Sequence, residues 1–304
     1  MVVAQYLLTF REVLEAALLT AIILAFLVKT GRPNLTRYAW YGVYGATSAS
    51  VALGVGVWLA YGALSEADQV LFEGTAALIA VAVLTSMIYW MAARGRRMRQ
   101  EVEDRVATAV SQGAILALVS LTFVLVFREG LETVLFLTPF LVGDPLATVA
   151  GALLGMGFGV GLAYLIFRVG VKLDIRKFFY FTSILLILVA GGLLGYGVHE
   201  LLEYAEIQGV GLGWWAESAY VLPIASTDLF GHKGAVGSIF AVMFGYTVKG
   251  EWARVIAHLA YLAIALPLII TIYRRPDWVS RIVARVRRIF RLVAAEPKPG
   301  PHED

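Results

Sequence analysis

Cysteine is absent from the 304 residues, which excludes disulfides, thiolate metal sites and thiol nucleophiles. Any metal must therefore be held by oxygen, imidazole or thioether. No GxxxxGK[ST] phosphate loop occurs, which argues against nucleotide hydrolysis within the chain. Charge is scarce, at 15% of residues, and no basic region precedes the first apolar stretch. That stretch contains Arg11, Glu12 and Glu15, so a cleaved signal peptide is not expected. The alternating pattern of a membrane barrel is also missing. What fills the chain is apolar sequence: 60% of residues are hydrophobic and the mean hydropathy is +0.77. A soluble domain of this length cannot hide so much apolar surface, so the solvent is a bilayer and the class is helical.

A hydrocarbon core of about 30 Å takes roughly 20 apolar residues per helix. Apolar windows predict seven spans, at about 3–28, 38–61, 70–93, 117–142, 146–167, 178–201 and 252–273, with 103–116 as an interfacial lead-in to the fourth. Lys29, Arg32 and Arg37, then Arg94, Arg96, Arg97, Arg99 and Arg105, then Arg168, Lys172, Arg176 and Lys177 fall in alternate loops. By the positive-inside rule those loops are cytoplasmic, which puts the N-terminus outside and the C-terminus in the cytoplasm of a multi-pass cell-membrane protein. The opposite loops and helix mouths hold Glu66, Asp68, Glu73, Asp144, Glu203, Glu206, Glu217, Asp228 and Glu251, an acidic outer face that enriches cations. After the seventh span, Val279, Ile282, Val283, Val286, Ile289, Phe290 and Val293 recur at helical spacing among arginines. The segment 274–304 thus reads as a basic amphipathic tail on the inner leaflet, its partner membrane lipid and not nucleic acid.

The first span reads FREVLEAALL and the fourth FREGLETVLF, so Phe10-Arg11-Glu12-x-Leu14-Glu15 is repeated as Phe127-Arg128-Glu129-x-Leu131-Glu132. A charge at the bilayer centre costs about 2.5–3.5 kcal/mol on insertion scales, so six such residues point to function. Arginine and second glutamate are i,i+4 and the glutamates i,i+3, which gathers all three on one face. Arg11 lies about 12 Å from the outer end of its helix and Arg128 about 16 Å from the inner end of its own, so both reach the midplane. Three helices separate the copies, so spans one to three (about 1–93) and four to six (about 108–201) are expected to form an inverted repeat. A seventh helix at 252–273 is then added, in a permease domain of 1–273. Facing motifs would gather Glu12, Glu15, Glu129 and Glu132, with Arg11 and Arg128 as supporting cations. That is an oxygen donor set for a hard multivalent cation, with no resident cofactor.

The paired motifs FREVLE and FREGLE, with the segment LFEGTAALIA at 71–80, resemble the duplicated RExxE signature of the high-affinity, oxidase-dependent iron permease family. The resemblance implies iron uptake across the cell membrane, with iron as the transported substrate and the six motif residues as the permeation site; the hard oxygen donors suit the ferric form, and the sequence does not fix the oxidation state carried. It also implies a transporter and not an enzyme. A separate multicopper oxidase or periplasmic iron-handling protein is the expected partner.

Further candidates lie towards the outer side. Glu73, in the FEG segment, could take iron at the mouth, and His199, Glu200 and Glu203 could form a relay at the end of the sixth span. Met87 and Met91 are i,i+4, as in a thioether step for copper(I), although methionine in an apolar helix is usually packing. His258 reads as a polar contact. The segment 202–251, with Trp214 and Trp215, is expected to form short surface or re-entrant helices over the outer mouth. Competing functions are transport of manganese or lead, a haem redox subunit ligated by His199 and His258, and a sensor that binds iron without moving it.

Overall fold

The structure, a computed structural model, describes residues 2–94, 98–111, 115–169, 175–232, 234 and 236–274. The predicted amphipathic tail beyond Arg274, and loop cations such as Arg96, Arg97 and Lys172, lie outside them. Among the described residues there are nine α-helices: α1 (Val2–Lys29), α2 (Thr36–Gly62), α3 (Glu66–Arg94), α4 (Met98–Ser111), α5 (Ile115–Gly143), α6 (Pro145–Tyr164), α7 (Ile175–Ile207), α8 (Gly237–Phe244) and α9 (Trp252–Arg274). A two-stranded antiparallel ribbon joins β1 (Ser218–Val221) to β2 (Lys249–Glu251). Five segments are long and apolar enough to cross a membrane by length and composition: Pro33–Gly62, Glu66–Ala92, Pro145–Phe167, Lys177–Ile207 and Trp252–Arg274. The motif helices α1 and α5, of 28 and 29 residues, match them in length but each carries three charges in its apolar run.

Three differences from the sequence reading have physical causes. The stretch before α5 is a separate helix, α4, because Val102, Val106 and Val110 recur at helical spacing and bury against Leu19, Ile23 and Leu27 of α1 and Leu118 of α5. The sixth predicted span does not stop at 201: α7 runs to Ile207. Glu200, Glu203 and Glu206 end the apolar window without ending the helix, since glutamate is a good helix former. The segment 202–251 supplies a short helix, α8, and also the ribbon, with Ser218 opposite Glu251 and Val221 opposite Lys249.

Helix packing follows small residues. α1 packs chiefly on α6, α2 on α5 and α3 on α7. On α2, Gly42, Ala46 and Ser50 are buried at every fourth position, and on α6 so are Gly151, Gly155 and Gly159. Small residues let membrane helices approach until backbone meets backbone. A Cβ added at Gly42 would lie 2.7 Å from the Val119 carbonyl oxygen, 2.8 Å from Thr122 Cβ and 2.9 Å from Phe123 N. One added at Gly151 would lie 2.8 Å from the Val2 carbonyl oxygen, 2.8 Å from Gln5 Cβ and 3.3 Å from Tyr6 N. Counted from the arginine of each motif, Val2, Gln5 and Tyr6 correspond to Val119, Thr122 and Phe123. The two contacts use equivalent atoms. The apolar core lies among α1, α3, α5, α7 and α9, where Leu8, Ala80, Leu84, Phe136, Ile187, Ala190 and Ile269 are fully enclosed.

Candidate metal centre

The crossing of α1 and α5 brings the two motifs together. One carboxylate oxygen each from Glu12, Glu15 and Glu129 lies within 4.8 Å of the others, and all three residues are buried. Glu132 is buried beside them. Arg11 spans its own helix turn: Nη1 is 2.8 Å from Glu12 Oε1 and Nη2 is 2.8 Å from Glu15 Oε1. Arg128 donates through Nε to Glu132 Oε1 at 2.9 Å and stands 3.9 Å from Glu129 Oε1. Ionised, the centre has four negative charges against two positive.

Much of the oxygen chemistry is unspent. Glu12 Oε2, Glu129 Oε2 and Glu132 Oε2 are buried without a hydrogen-bond partner among the described residues. Glu15 Oε1 lies 2.8 Å from Arg11 Nη2 yet also lacks an aligned hydrogen bond. A buried carboxylate oxygen without a donor is costly. Converging orphan oxygens of this kind can hold a hard cation of two or three charges.

The two arginines differ in setting. Arg11 is 2% exposed, with Nη1 2.7 Å from Met87 Sδ and Nη2 2.7 Å from Met91 Sδ. Arg128 is 44% exposed and lies over the Trp90 ring, 5.2 Å from its centroid. Beside it a small cavity of about 90 Å³, lined by Glu15, Trp90, Met98, Glu101, Arg105 and Arg128, reaches α4. The sequence singled out Met87 and Met91 by their spacing, but nothing in it tied them to Arg11.

Glu73 does not join the carboxylates of α1 and α5. Its carboxylate accepts from Tyr61 Oη at 2.6 Å and from Tyr196 Oη. One turn beyond Tyr196, ligand atoms of His199, Glu200 and Glu203 lie within 4.8 Å of one another. The ribbon adds a residue the sequence did not single out as a partner: Glu251 Oε1 is 3.3 Å from His199 Nδ1. Burial pushes the Glu251 carboxyl up, but the hydrogen bond from His199, a backbone hydrogen bond and the nearby charges of His199 and Arg254 together hold the group below the usual carboxylate range. Tyr196 also lines a cavity of about 450 Å³ with Gln5, Pro139, Asp144, His232 and Arg254. His258 is buried against Gly191 and Gly245, and Gly191 sits eight residues, about 12 Å along α7, from His199.

Fold and site together define a polytopic helical membrane protein with a buried carboxylate and guanidinium centre. The chain belongs to the Iron permease FTR1 family, whose pattern it matches over residues 2–273. It is similar to an uncharacterized protein of Archaeoglobus fulgidus, 45% identical over 271 residues, 89% of this chain and 95% of that one. It is also 32% identical over 269 residues to the ferrous iron permease EfeU of Yersinia pestis, covering 86% of this chain and 91% of the relative. The EfeU of Escherichia coli is 32% identical over 264 residues, with 86% and 92% covered. No solved structure matches the chain. The protein is an iron permease, a transporter and not an enzyme, with iron as its substrate.

Proposed function

We propose that iron crosses the membrane through a midplane centre made by Glu12, Glu15, Glu129 and Glu132, with Arg11 and Arg128 orienting the carboxylates and limiting their mutual repulsion. The observation that carries this reading is the convergence of buried oxygens from α1 and α5, three residues within 4.8 Å, while partnerless oxygens remain. Seven helices span: α1, α2, α3, α5, α6, α7 and α9. Repeat one is about 1–93 and repeat two about 108–201, inverted in the bilayer with the N-terminus outside and the C-terminus in the cytoplasm. The equivalent approaches of Gly42 to α5 and of Gly151 to α1 support the repeat, because each second helix clasps the first helix of the opposite half. The segment 274–304 is a cytoplasmic basic tail.

On the outer side, His199, Glu200 and Glu203 form the capture site with Glu73, whose hydrogen-bond donor Tyr196 lines the 450 Å³ cavity. A separate oxidase or periplasmic iron-handling protein delivers the ion there. The all-oxygen donor set of the midplane favours the ferric ion. The second reading, ferrous iron, is favoured by the names of the Yersinia pestis and Escherichia coli relatives. Uptake of iron kept reduced with ascorbate, compared with iron presented as ferric citrate, separates the two.

The test of the site is radio-iron uptake by cells expressing the wild type, Glu15→Ala or Glu132→Ala. Both substitutions are expected to abolish uptake at equal protein levels, and unimpaired uptake in both sinks the assignment. Competition by manganese or lead against iron gives the selectivity. Liposomes that bind iron but never accumulate it would indicate a sensor.

A further inference from the structure

The outer half of α1 carries a feature that the motif does not use. Gln5, Thr9 and Glu12 sit at i, i+4 and i+7, one stripe of the helix, and each is only 1% exposed. Gln5 Oε1, Thr9 Oγ1 and Glu12 Oε2 all lack a hydrogen-bond partner among the described residues. Gln5 lines the 450 Å³ outer cavity, and its amide nitrogen points to Thr148 Oγ1 at 3.5 Å. Thr9 and Glu12 share a second cavity, of about 690 Å³, with Glu129. The stripe covers about 10 Å of helix from the outer cavity to the carboxylates.

Thr9 is unusual among the threonines of the spans. Thr20, Thr75, Thr122, Thr133, Thr138, Thr182 and Thr271 each donate to a backbone carbonyl three or four residues earlier, which satisfies the hydroxyl inside its own helix. Thr9 does not. The corresponding stripe on α5 is closed: Gln5 corresponds to Thr122, whose hydroxyl bonds Leu118 O at 2.9 Å, and Thr9 corresponds to Val126. The two halves therefore part company along this one stripe.

We propose that Gln5 Oε1 and Thr9 Oγ1 are transit ligands that replace hydration oxygens of an incoming hard metal cation and pass it from the outer cavity to Glu12. This rests on the reading of the midplane carboxylates as the iron site. Neutral oxygens suit transit, because a step must bind well enough to strip water yet weakly enough to release the ion onward. The charged centre below supplies the stronger hold. With Val126 in place of a hydroxyl on α5, the uncharged oxygen ladder serves the outer approach alone.

The test uses the full chain in two formats: radio-iron uptake into proteoliposomes and equilibrium iron binding in detergent. Thr9→Val, which preserves shape, and Gln5→Leu are each expected to slow uptake about tenfold, the size of one lost oxygen contact to a charged group. Iron stoichiometry and affinity at equilibrium stay as in the wild type. Thr9→Ser, which keeps the oxygen, retains wild-type uptake, as does Thr122→Val. Wild-type uptake in Thr9→Val and Gln5→Leu overturns the proposal, and so does a Thr9→Ser variant as slow as Thr9→Val, since packing would then explain the effect. Failure of the underlying reading has its own signature: Glu12→Gln and Glu129→Gln would bind iron like the wild type, and the transit assignment would fall with it.

Discussion

Gly151 approaches α1 through the same kinds of atom by which Gly42 approaches α5: a valine carbonyl oxygen, a side-chain Cβ and a backbone nitrogen. Neither glycine has room for a methyl group, since the nearest heavy atoms would be 2.8 Å and 2.7 Å from it. Gly157, six residues further along α6, has nothing within 4 Å of an added Cβ.

Gly42→Ala and Gly151→Ala are accordingly expected to destabilise by similar amounts, about 1–3 kcal/mol each, as overpacked contacts do. Gly157→Ala should be neutral. Thermal midpoints of the purified protein in detergent check this. A large difference between the first two would remove the equivalence of the halves.

The arginines should not behave alike. Arg11 is enclosed and its loss strands buried carboxylates, so Arg11→Gln is expected to cost about 3–5 kcal/mol. Arg128 is 44% exposed but is the partner of buried Glu132, so Arg128→Gln should cost less than Arg11→Gln, about 1–3 kcal/mol. Chemical unfolding of both variants, measured side by side, gives the comparison.

Removing a carboxylate should have effects of opposite sign with and without metal. Glu12→Gln and Glu129→Gln relieve repulsion in the metal-free centre, so their thermal midpoints without iron should equal or exceed the wild type. The wild type gains about 2.7 kcal/mol at an iron concentration 100 times Kd, and the variants should lose that gain. Melting curves with and without iron decide it, and an undiminished iron-induced shift in the variants would count against these ligands.

Met87 and Met91 hold the far side of the Arg11 guanidinium. Met87→Leu and Met91→Leu keep the volume and remove the acceptor, and each should destabilise by about 1–2 kcal/mol, as a lost hydrogen bond to a charged group does. A Met87→Leu protein that melts like the wild type would show the sulfur contact to be incidental.

The motifs were legible because Arg11, Glu12 and Glu15 are conspicuous in an apolar run, and helical spacing alone placed them on one face. The end of α7 was not, since a hydropathy window measures where apolarity stops and not where hydrogen bonding stops. The ribbon was hidden for another reason: Ser218–Val221 and Lys249–Glu251 are short, and they pair across a long intervening segment. The ligation of Arg11 by Met87 and Met91 depends on how α3 docks against α1, 76 to 80 residues away in sequence. Spacing could mark the methionines as neighbours of each other but not of the arginine. Gln5 and Thr9 went unremarked because a single amide or hydroxyl in a span is unexceptional until its partners are counted.

The packing of α2 on α5 and of α1 on α6 also constrains the order of assembly. When α2 leaves the ribosome, the helix that fits its stripe of Gly42, Ala46 and Ser50 has yet to be made, and α1 likewise waits for the glycines of α6. A chain halted after α3 would hold three helices, none of them with its chief packing partner. Synthesis must carry α1, α2 and α3 as a provisional structure until α5, α6 and α7 arrive, and α5 brings Glu129 and Glu132 to the carboxylate centre in the same passage.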